Sequence, residues 1–269
     1  MSRQRLLVVM PTRNQAAFIE RAIASVVAQL GEADTFVVVD GGSNDGTHEV
    51  LQKWQSRITK VMIEPGTSQA EALALGFAIG EAEYACYLNS DDLLLPGAVG
   101  KALTVLERGT ADAVYSHRVF VDEIDRVTHF WSLPRHNNYL MKRWDYIPQE
   151  TCFWRYDVMQ QAGGVDTTLR FAVDYDLFVR MMQIGTFWRC DDFFGAFRIH
   201  PHSKTVQQNE SVGKPEVAAL QTRYGVNIKA FDMPVGTLLR EWIALRSKWM
   251  RRERGRLQAE INRVVSAVS

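Results

Sequence analysis

Phe36-Val37-Val38-Val39-Asp40-Gly41-Gly42-Ser43-Asn44-Asp45-Gly46-Thr47 is an apolar run that stops at a carboxylate, crosses a glycine-rich turn and opens a helix. Consecutive apolar, mostly β-branched residues read as a strand buried on both faces. The glycines allow a tight turn and close backbone approach, and Asn44 or Asp45 suits a helix cap. No GK[ST] follows and the spacing is not GxGxxG, so the stretch is a phosphate cradle or simply a turn with an N-cap. Outward from it, the same grammar repeats. Leu6–Met10 is an apolar run ending at Pro11-Thr12-Arg13-Asn14, and Ala17, Ile19, Ile23, Val26, Val27 and Leu30 follow at helical spacing. Val50, Leu51 and Trp54 mark the next helix, Ile58–Ile63 a strand, Ala70–Ile79 a helix and Tyr84–Leu88 a strand ending at Asn89-Ser90-Asp91-Asp92. Strands alternating with helices predict βαβ units and a parallel sheet, with ligands at the carboxyl ends of the strands.

The pattern changes after residue 112. Ala113–Tyr115, Arg118–Val121 and Val127–Phe130 read as short strands, Tyr156–Ala162 and Val173–Ile184 as helices, and Thr186–Cys190 and Ala196–His200 as returning strands. Pro201–Pro215 is polar and reads as a mobile loop, and one long helix is expected from Val235 onward.

The 269 residues carry 31 Lys plus Arg and 31 Asp plus Glu, and 46% are hydrophobic. This is globular composition, not that of a disordered chain or a disulfide scaffold, and the zero balance argues against a general nucleic-acid binder. Cys86, Cys152 and Cys190 lie far apart, without a CxxC pair, so zinc and structural disulfides are not expected. No run approaches the roughly 20 apolar residues of a membrane span. The expected location is cytoplasmic, with peripheral attachment to the inner face of the membrane as an option.

Three residue groups invite chemistry. Adjacent carboxylates at Asp91 and Asp92 repel each other unless a cation or hydrogen bonds compensate. Oxygen ligands suit Mg²⁺ or Mn²⁺; the plain alternative is a helix cap. Asp174-Tyr175-Asp176-Leu177 opens a helix, where carboxylates complement the dipole or serve as a general base. His200 ends a strand and either ligates a metal or bonds within its turn.

Taken in order, Pro11–Asn14, Ser25–Gln29, Asp40–Thr47, Gly76-Phe77, Leu88–Asp92 with Leu95-Pro96-Gly97, Ile147–Gln149, Gly163–Asp166, Asp174–Leu177 and Arg198–His200 with Ser203 resemble the motif series of inverting family 2 glycosyltransferases. The resemblance covers about residues 6–205. It implies an α/β GT-A fold: a Rossmann-like mixed sheet flanked by helices, here with a C-terminal helical extension. It also implies transfer of a sugar from a nucleotide-diphosphate sugar, UDP-linked in this reading, to a carbohydrate or lipid-linked hydroxyl, with inversion, in cell-surface polysaccharide biosynthesis. A divalent metal, Mn²⁺ or Mg²⁺, is implied as cofactor.

By that resemblance Pro11, Thr12, Arg13, Asn14, Asp40, Ser43, Asp45, Gln69, Asn89 and Ser90 hold the donor. Asn89 and Asp91 occupy the first and last places of the Asp-x-Asp motif, and Asp91, Asp92 and His200 form the metal set. Asp174 is the catalytic base. Val173 replaces the glutamate that commonly precedes it, which leaves Asp176 as the other candidate. Arg13 stands where many relatives carry an aromatic residue, and Glu71 and Ala74 where a common variant has Asp and Asn. The acceptor side is assigned to Gln149, Glu150 and Trp154 within a polar-aromatic group that includes Trp131, His136, Trp144 and Thr151.

The expected organisation is a catalytic domain at 1–225, with a donor half at 1–112 and an acceptor half at 113–225, followed by a basic helical extension at 226–269. Eight basic and three acidic residues fall in 240–269, leaving 23 and 28 in 1–239. Leu238, Trp242, Leu245 and Trp249 recur at helical spacing, continued by Ile261, Val264 and Val268. Such a helix docks on the body, pairs with a second subunit or lies on an anionic membrane. The rivals to catalysis of transfer are a nucleotidyltransferase, whose basic Gly-rich loop is absent from Val8–Asn14, and an inactive sugar-nucleotide-binding or scaffold protein.

Overall fold

The computed structural model describes residues 4–226 and 232–266. Val268 and residues 227–231 of the expected extension lie outside the described residues. The first half follows the βα alternation. β1 (Gln4–Thr12) leads to α1 (Ile19–Val27), β2 (Thr35–Asp40) to α2 (Thr47–Trp54), β3 (Lys60–Ile63) to α3 (Gln69–Phe77), and β4 (Ala82–Tyr87) follows. All pairings among these four strands are parallel, in the order β3-β2-β1-β4. Leu6–Met10 and Val37–Val39 are wholly buried, as apolar runs covered on both faces must be. α3 lies so close to the sheet that a Cβ on Gly76 would fall 2.3 Å from Val9 Cγ1.

The second half makes the sheet mixed. After β5 (Leu93–Leu94) and α4 (Ala98–Glu107) come β6 (Ala113–Val121), β7 (Val127–Trp131), α5 (Asn138–Trp144), β8 (Phe153–Arg155), α6 (Tyr156–Gln161), α7 (Val173–Met181) and β9 (Phe187–Arg198). β8 joins β4 antiparallel, and the path runs on through β6, β9 and β5, with β7 on β6. The result is one nine-stranded sheet in which β8, β5 and β7 run against the other strands. Two pairs of short predicted strands are each a single long one. β6 and β9 run parallel beside each other and absorb the polar Ser116 and His117 in register shifts rather than breaking there.

α1 pins the start of this half. Ser25 Oγ accepts a hydrogen bond from Leu94 N at 3.1 Å, and Gln29 Oε1 one from Val99 N at 3.3 Å. That is the structural task of the Ser25–Gln29 motif.

Two expectations fail on the C-terminal side. Pro201–Pro215 is not a loop: it forms α8 (Lys204–Gln208), a π-turn (Asn209–Gly213) and the start of α9 (Lys214–Arg223). Ser203 caps α8 by accepting from Val206 N. The single long terminal helix is two, α10 (Asp232–Trp249) and α11 (Arg254–Ser266), joined by a 3-10 turn at Met250–Glu253. The reason for the break is packing. Met250, Leu257 and Ile261 fill a second core with Leu93, Leu95, Val119, Val121, Phe130 and Phe193, so the chain must turn back onto the body. α11 also lies against α1, and α10 against β7. Ser132 N donates to Ser247 Oγ and Val127 N to Gln258 Oε1, so the helices satisfy donors at the ends of edge strand β7.

Candidate active site

A crevice of about 1230 Å³ opens at the carboxyl ends of β1, β2 and β4. Pro11, Thr12, Arg13 and Gly41 line one wall, Asn89, Ser90 and Asp91 the centre, and residues 167–174, 203–205, 208 and 209 the opposite wall. A Cβ on Gly41 would lie 2.9 Å from the Thr67 carbonyl, so only glycine lets the 64–67 loop close against the end of β2.

Of the ten residues expected to hold a donor, six line the crevice: Pro11, Thr12, Arg13, Gln69, Asn89 and Ser90. The other four knit the loops beneath it. Asn14 N donates to Ser43 Oγ at 2.7 Å and Asn44 N to Asn14 Oδ1 at 2.9 Å. Ala16 N donates to Asp45 Oδ2 at 3.0 Å. Asp40 is fully buried. It accepts from Ser43 Oγ, from Ser43 N at 2.9 Å and from His48 Nε2 at 2.7 Å. Burial opposes its ionisation, but these hydrogen bonds outweigh burial and hold the carboxyl below the usual range. The carboxylate expected to reach into the crevice is spent on its own turn.

The metal candidates divide in the same way. Asp91 lines the crevice, with His200 Nε2 at 3.1 Å from Asp91 Oδ2. His200 is buried against the Phe18 ring, and its Nδ1 has no partner. Asp92 does not line the crevice. It is buried, accepting from Arg198 N at 2.9 Å and Gln149 Nε2 at 3.1 Å. Burial first, then the charges of Asp91 and Glu150, push its carboxyl well above the ordinary range. Hydrogen bonds from Arg198 N and Gln149 Nε2 thus hold Asp92 within the scaffold, turned away from the crevice that Asp91 lines. Among the described residues no group of three or more His, Cys, Asp or Glu forms a metal cage.

Asp174 and Asp176 sit in the first turn of α7 but point to different surroundings. Asp174 lines the crevice and accepts from Tyr175 N at 3.0 Å. Burial raises its carboxyl above the usual value. Asp176 is buried on the other side, held by Arg180 Nη2 at 2.6 Å and by the Tyr224 hydroxyl. It ties α7 to α9.

On the expected acceptor side, Gln149 and Trp131 line the crevice. Glu150 is buried in a two-pronged pair with Arg118, at 2.7 and 2.8 Å. Trp154 is fully buried, edge-on to Phe77, Tyr87 and Phe178, and is core rather than sugar platform.

Asp145 and Lys204 are among the lining residues that escaped the sequence reading. Asp145 follows α5 and is raised well above the ordinary range by burial and then by the Asp174 charge. Its signal was its place two residues before Ile147-Pro148-Gln149. Lys204, one residue beyond Ser203, lines the crevice from α8. Its Nζ donates to Gln69 Oε1 at 2.7 Å, and Gln69 Nε2 donates to Asn89 Oδ1 at 2.7 Å. This polar chain crosses the crevice from wall to centre. Glu216, also unforeseen, accepts from Arg170, Phe171 and Ala172 N at 2.6–2.8 Å and fixes the wall that leads into Asp174.

The Glycosyl transferase family 2 model matches residues 7–161, more than half of the chain. The chain belongs to glycosyltransferase family 2. Among curated relatives of this family member, the succinoglycan biosynthesis protein ExoU of Rhizobium meliloti is 25% identical over 66% of this chain and 57% of its own length. The chain spans 39% and 65% of the lengths of two further curated relatives, uncharacterized glycosyltransferases from Nostoc sp. and Rickettsia typhi. Among solved structures, S. aureus TarS 1–349 in complex with UDP-GlcNAc superposes with a TM-score of 0.64 at 14% identity, over 76% of this chain and 61% of that one. The mannosyltransferase PcManGT from Pyrobaculum calidifontis in complex with GDP-Man and Mn²⁺ superposes with a TM-score of 0.59 at 17% identity, over 99% of this family 2 chain and 87% of the other. The GT-A fold expected from the sequence is the fold observed.

Proposed function

We propose that this family 2 protein transfers a sugar from a UDP-sugar to a hydroxyl of a carbohydrate or lipid-linked acceptor, inverting the anomeric centre, in surface-polysaccharide assembly. The observation that carries the reading is one crevice lined both by Asp91, which the buried His200 approaches from behind at 3.1 Å, and by the buried, raised carboxyl of Asp174. The polysaccharide context rests on the succinoglycan relative and the choice of UDP on the UDP-GlcNAc complex of the structural neighbour.

In this reading Pro11–Arg13 and Gly41 take the nucleoside, and Asn89, Ser90 and Lys204 the diphosphate. Asp91 and His200 fit a divalent cation. Mg²⁺ and Mn²⁺ sites are commonly completed by substrate phosphates rather than by an all-protein cage. Such an ion supplies charge neutralisation for the departing diphosphate. Asp174 removes the acceptor proton as the acceptor oxygen attacks the anomeric carbon. The bond from that carbon to the diphosphate oxygen breaks, and its electrons leave with the nucleotide. Attack from the opposite face inverts the centre without a covalent enzyme intermediate, so no nucleophilic Ser or Cys is needed. The thiols agree: Cys86 and Cys152 are buried, and burial raises all three. Gln149 and Trp131 are the acceptor contacts, while Asp92, Asp176, Glu150 and Trp154 hold the scaffold.

A thermal-shift panel of nucleotide sugars with and without Mn²⁺ selects the donor, a UDP-sugar being expected and GDP-mannose the competing outcome. With that donor, Asp174→Asn should lower turnover about 10²–10⁴-fold while the donor-induced shift is kept. Full activity in the variant overturns the base assignment. Donor binding by the native chain without transfer or donor hydrolysis identifies a sugar-nucleotide-binding protein instead.

A further inference from the structure

The two C-terminal helices treat their apolar residues in opposite ways. On α11, Leu257, Ile261 and Val264 are buried against the body. On α10 the body covers the face that carries Gly236 and Ile243, and Met250 at the turn is buried. The other face carries Leu238, Trp242, Leu245 and Trp249, which are 65%, 38%, 69% and 62% exposed. At 100° per residue these four fall within an arc of about 60°, a stripe roughly 17 Å long. A row of two leucines and two tryptophans facing solvent is a costly surface unless something covers it.

The charges around the stripe say what does. Arg240, Lys248, Arg251 and Arg252 are exposed, and Arg246 is half-exposed beside the stripe. The acids near this surface are Glu241, Glu253 and Asp191; Glu253 is already met by Arg252 and Arg256, and Asp191 by Arg189 at 2.8 Å, with Arg246 farther off at 3.9 Å, so cations remain in excess. Two cations lie on the indoles themselves: the Arg246 guanidinium is 5.1 Å from the Trp242 ring centre and that of Arg252 is 3.2 Å from Trp249. This stacking holds a positive charge against each indole. We propose that α10 is a docking surface for an anionic lipid bilayer. Leu238, Trp242, Leu245 and Trp249 enter the boundary between headgroups and acyl chains, and the surrounding Arg and Lys meet lipid phosphates.

A second copy of the chain fits this face poorly. A two-fold contact sets a surface against itself and would bring the same excess of cations together. A stripe one helix wide, on the order of 170 Å², is also far short of the roughly 800 Å² per partner of a stable interface. Docking does not depend on the transferase reading, but it has a consequence for it. β7, which α10 covers, ends at Trp131 in the crevice wall. A bilayer under α10 would therefore lie beside the side of the crevice assigned to the acceptor.

The test is flotation of the full chain with phosphatidylcholine vesicles, with and without about one third phosphatidylglycerol. The native chain should float with the anionic vesicles only, and binding should fall several-fold when the salt is raised from about 0.05 to about 0.5 M. Trp242→Glu with Leu245→Glu should reduce binding at least tenfold, with the thermal midpoint and the donor-induced thermal shift unchanged. Lys248→Glu with Arg251→Glu, which leaves the apolar stripe intact, should abolish the preference for anionic vesicles. Light scattering of the native chain should give a monomer. No flotation with anionic vesicles, undiminished binding by both double variants, or a dimer that Leu245→Glu dissociates would overturn the proposal.

Discussion

Asp174 and Asp176 stand two residues apart in the same helical turn and differ in every respect that decides chemistry. Asp176 is neutralised by Arg180 and bonded by Tyr224, whereas Asp174 faces the crevice with burial as the dominant influence on its carboxyl. A raised carboxyl has a direct kinetic consequence. The base works deprotonated, and its deprotonation is completed at higher pH than for an ordinary aspartate. As pH falls, kcat/KM should therefore begin to drop above the normal aspartate range, and the pH profile of the native enzyme checks this. An acid limb at or below the ordinary aspartate value would mean that another group limits the reaction. Asp40 carries the same lesson in reverse. Its position at a strand end pointed to a ligand contact, yet its partners Gly42, Ser43 and His48 are in its own turn and its neighbouring helix.

At the level of elements, the segment after His200 is the clearest departure from the sequence reading. It is polar because one side meets solvent and the other lines the crevice, and a short capped helix satisfies both. Lys204 on α8 reaches Gln69, which holds Asn89. Burial lowers its ammonium below the usual lysine value, a cost that a bound diphosphate would offset. Lys204→Gln should raise the donor KM about tenfold or more with a smaller change in kcat, measured by steady-state kinetics with the donor varied. An unchanged KM would remove Lys204 from the diphosphate site. The contact between α3 and β1 makes a separate prediction about stability. Gly76→Ala places a methyl group inside Val9, and overpacking of this kind costs about 1–3 kcal/mol, readable by urea denaturation.

The zero net charge of the whole molecule is a cancellation. Residues 1–239 carry five more acids than bases and residues 240–269 five more bases than acids. The basic part is not an appendage in packing terms, because Met250, Leu257 and Ile261 complete a core begun by β5, β6 and β9. Within the stretch 226–269, the described helices at 232–266 form an integral layer of the fold. Ending the chain at residue 226 should expose Leu93, Val119, Phe130 and Phe193 and uncover the edge of β7. The expected result is a large loss of thermal stability and a tendency to aggregate, checked by calorimetry and light scattering. A truncated chain as stable as the whole would show that the second core contributes little.

The sequence by itself determined the parallel half of the sheet, the family and the position of the crevice. Those follow from local rules: buried runs end at polar turns, and ordered motifs sit at strand ends. It did not determine which carboxylate of each close pair faces the crevice, because Asp91 and Asp92, like Asp174 and Asp176, share a local pattern and, apart from Arg180 one helical turn beyond Asp176, are told apart by distant neighbours. Arg198 and Gln149 claim Asp92, and Arg180 and Tyr224 claim Asp176. Nor did it determine the fate of the basic tail. A 3-10 turn at Met250–Glu253 sends one helix into the core and leaves the other's apolar stripe in solvent. Only the tertiary structure decides such matters, because burial and charge pairing depend on residues tens to more than a hundred positions away.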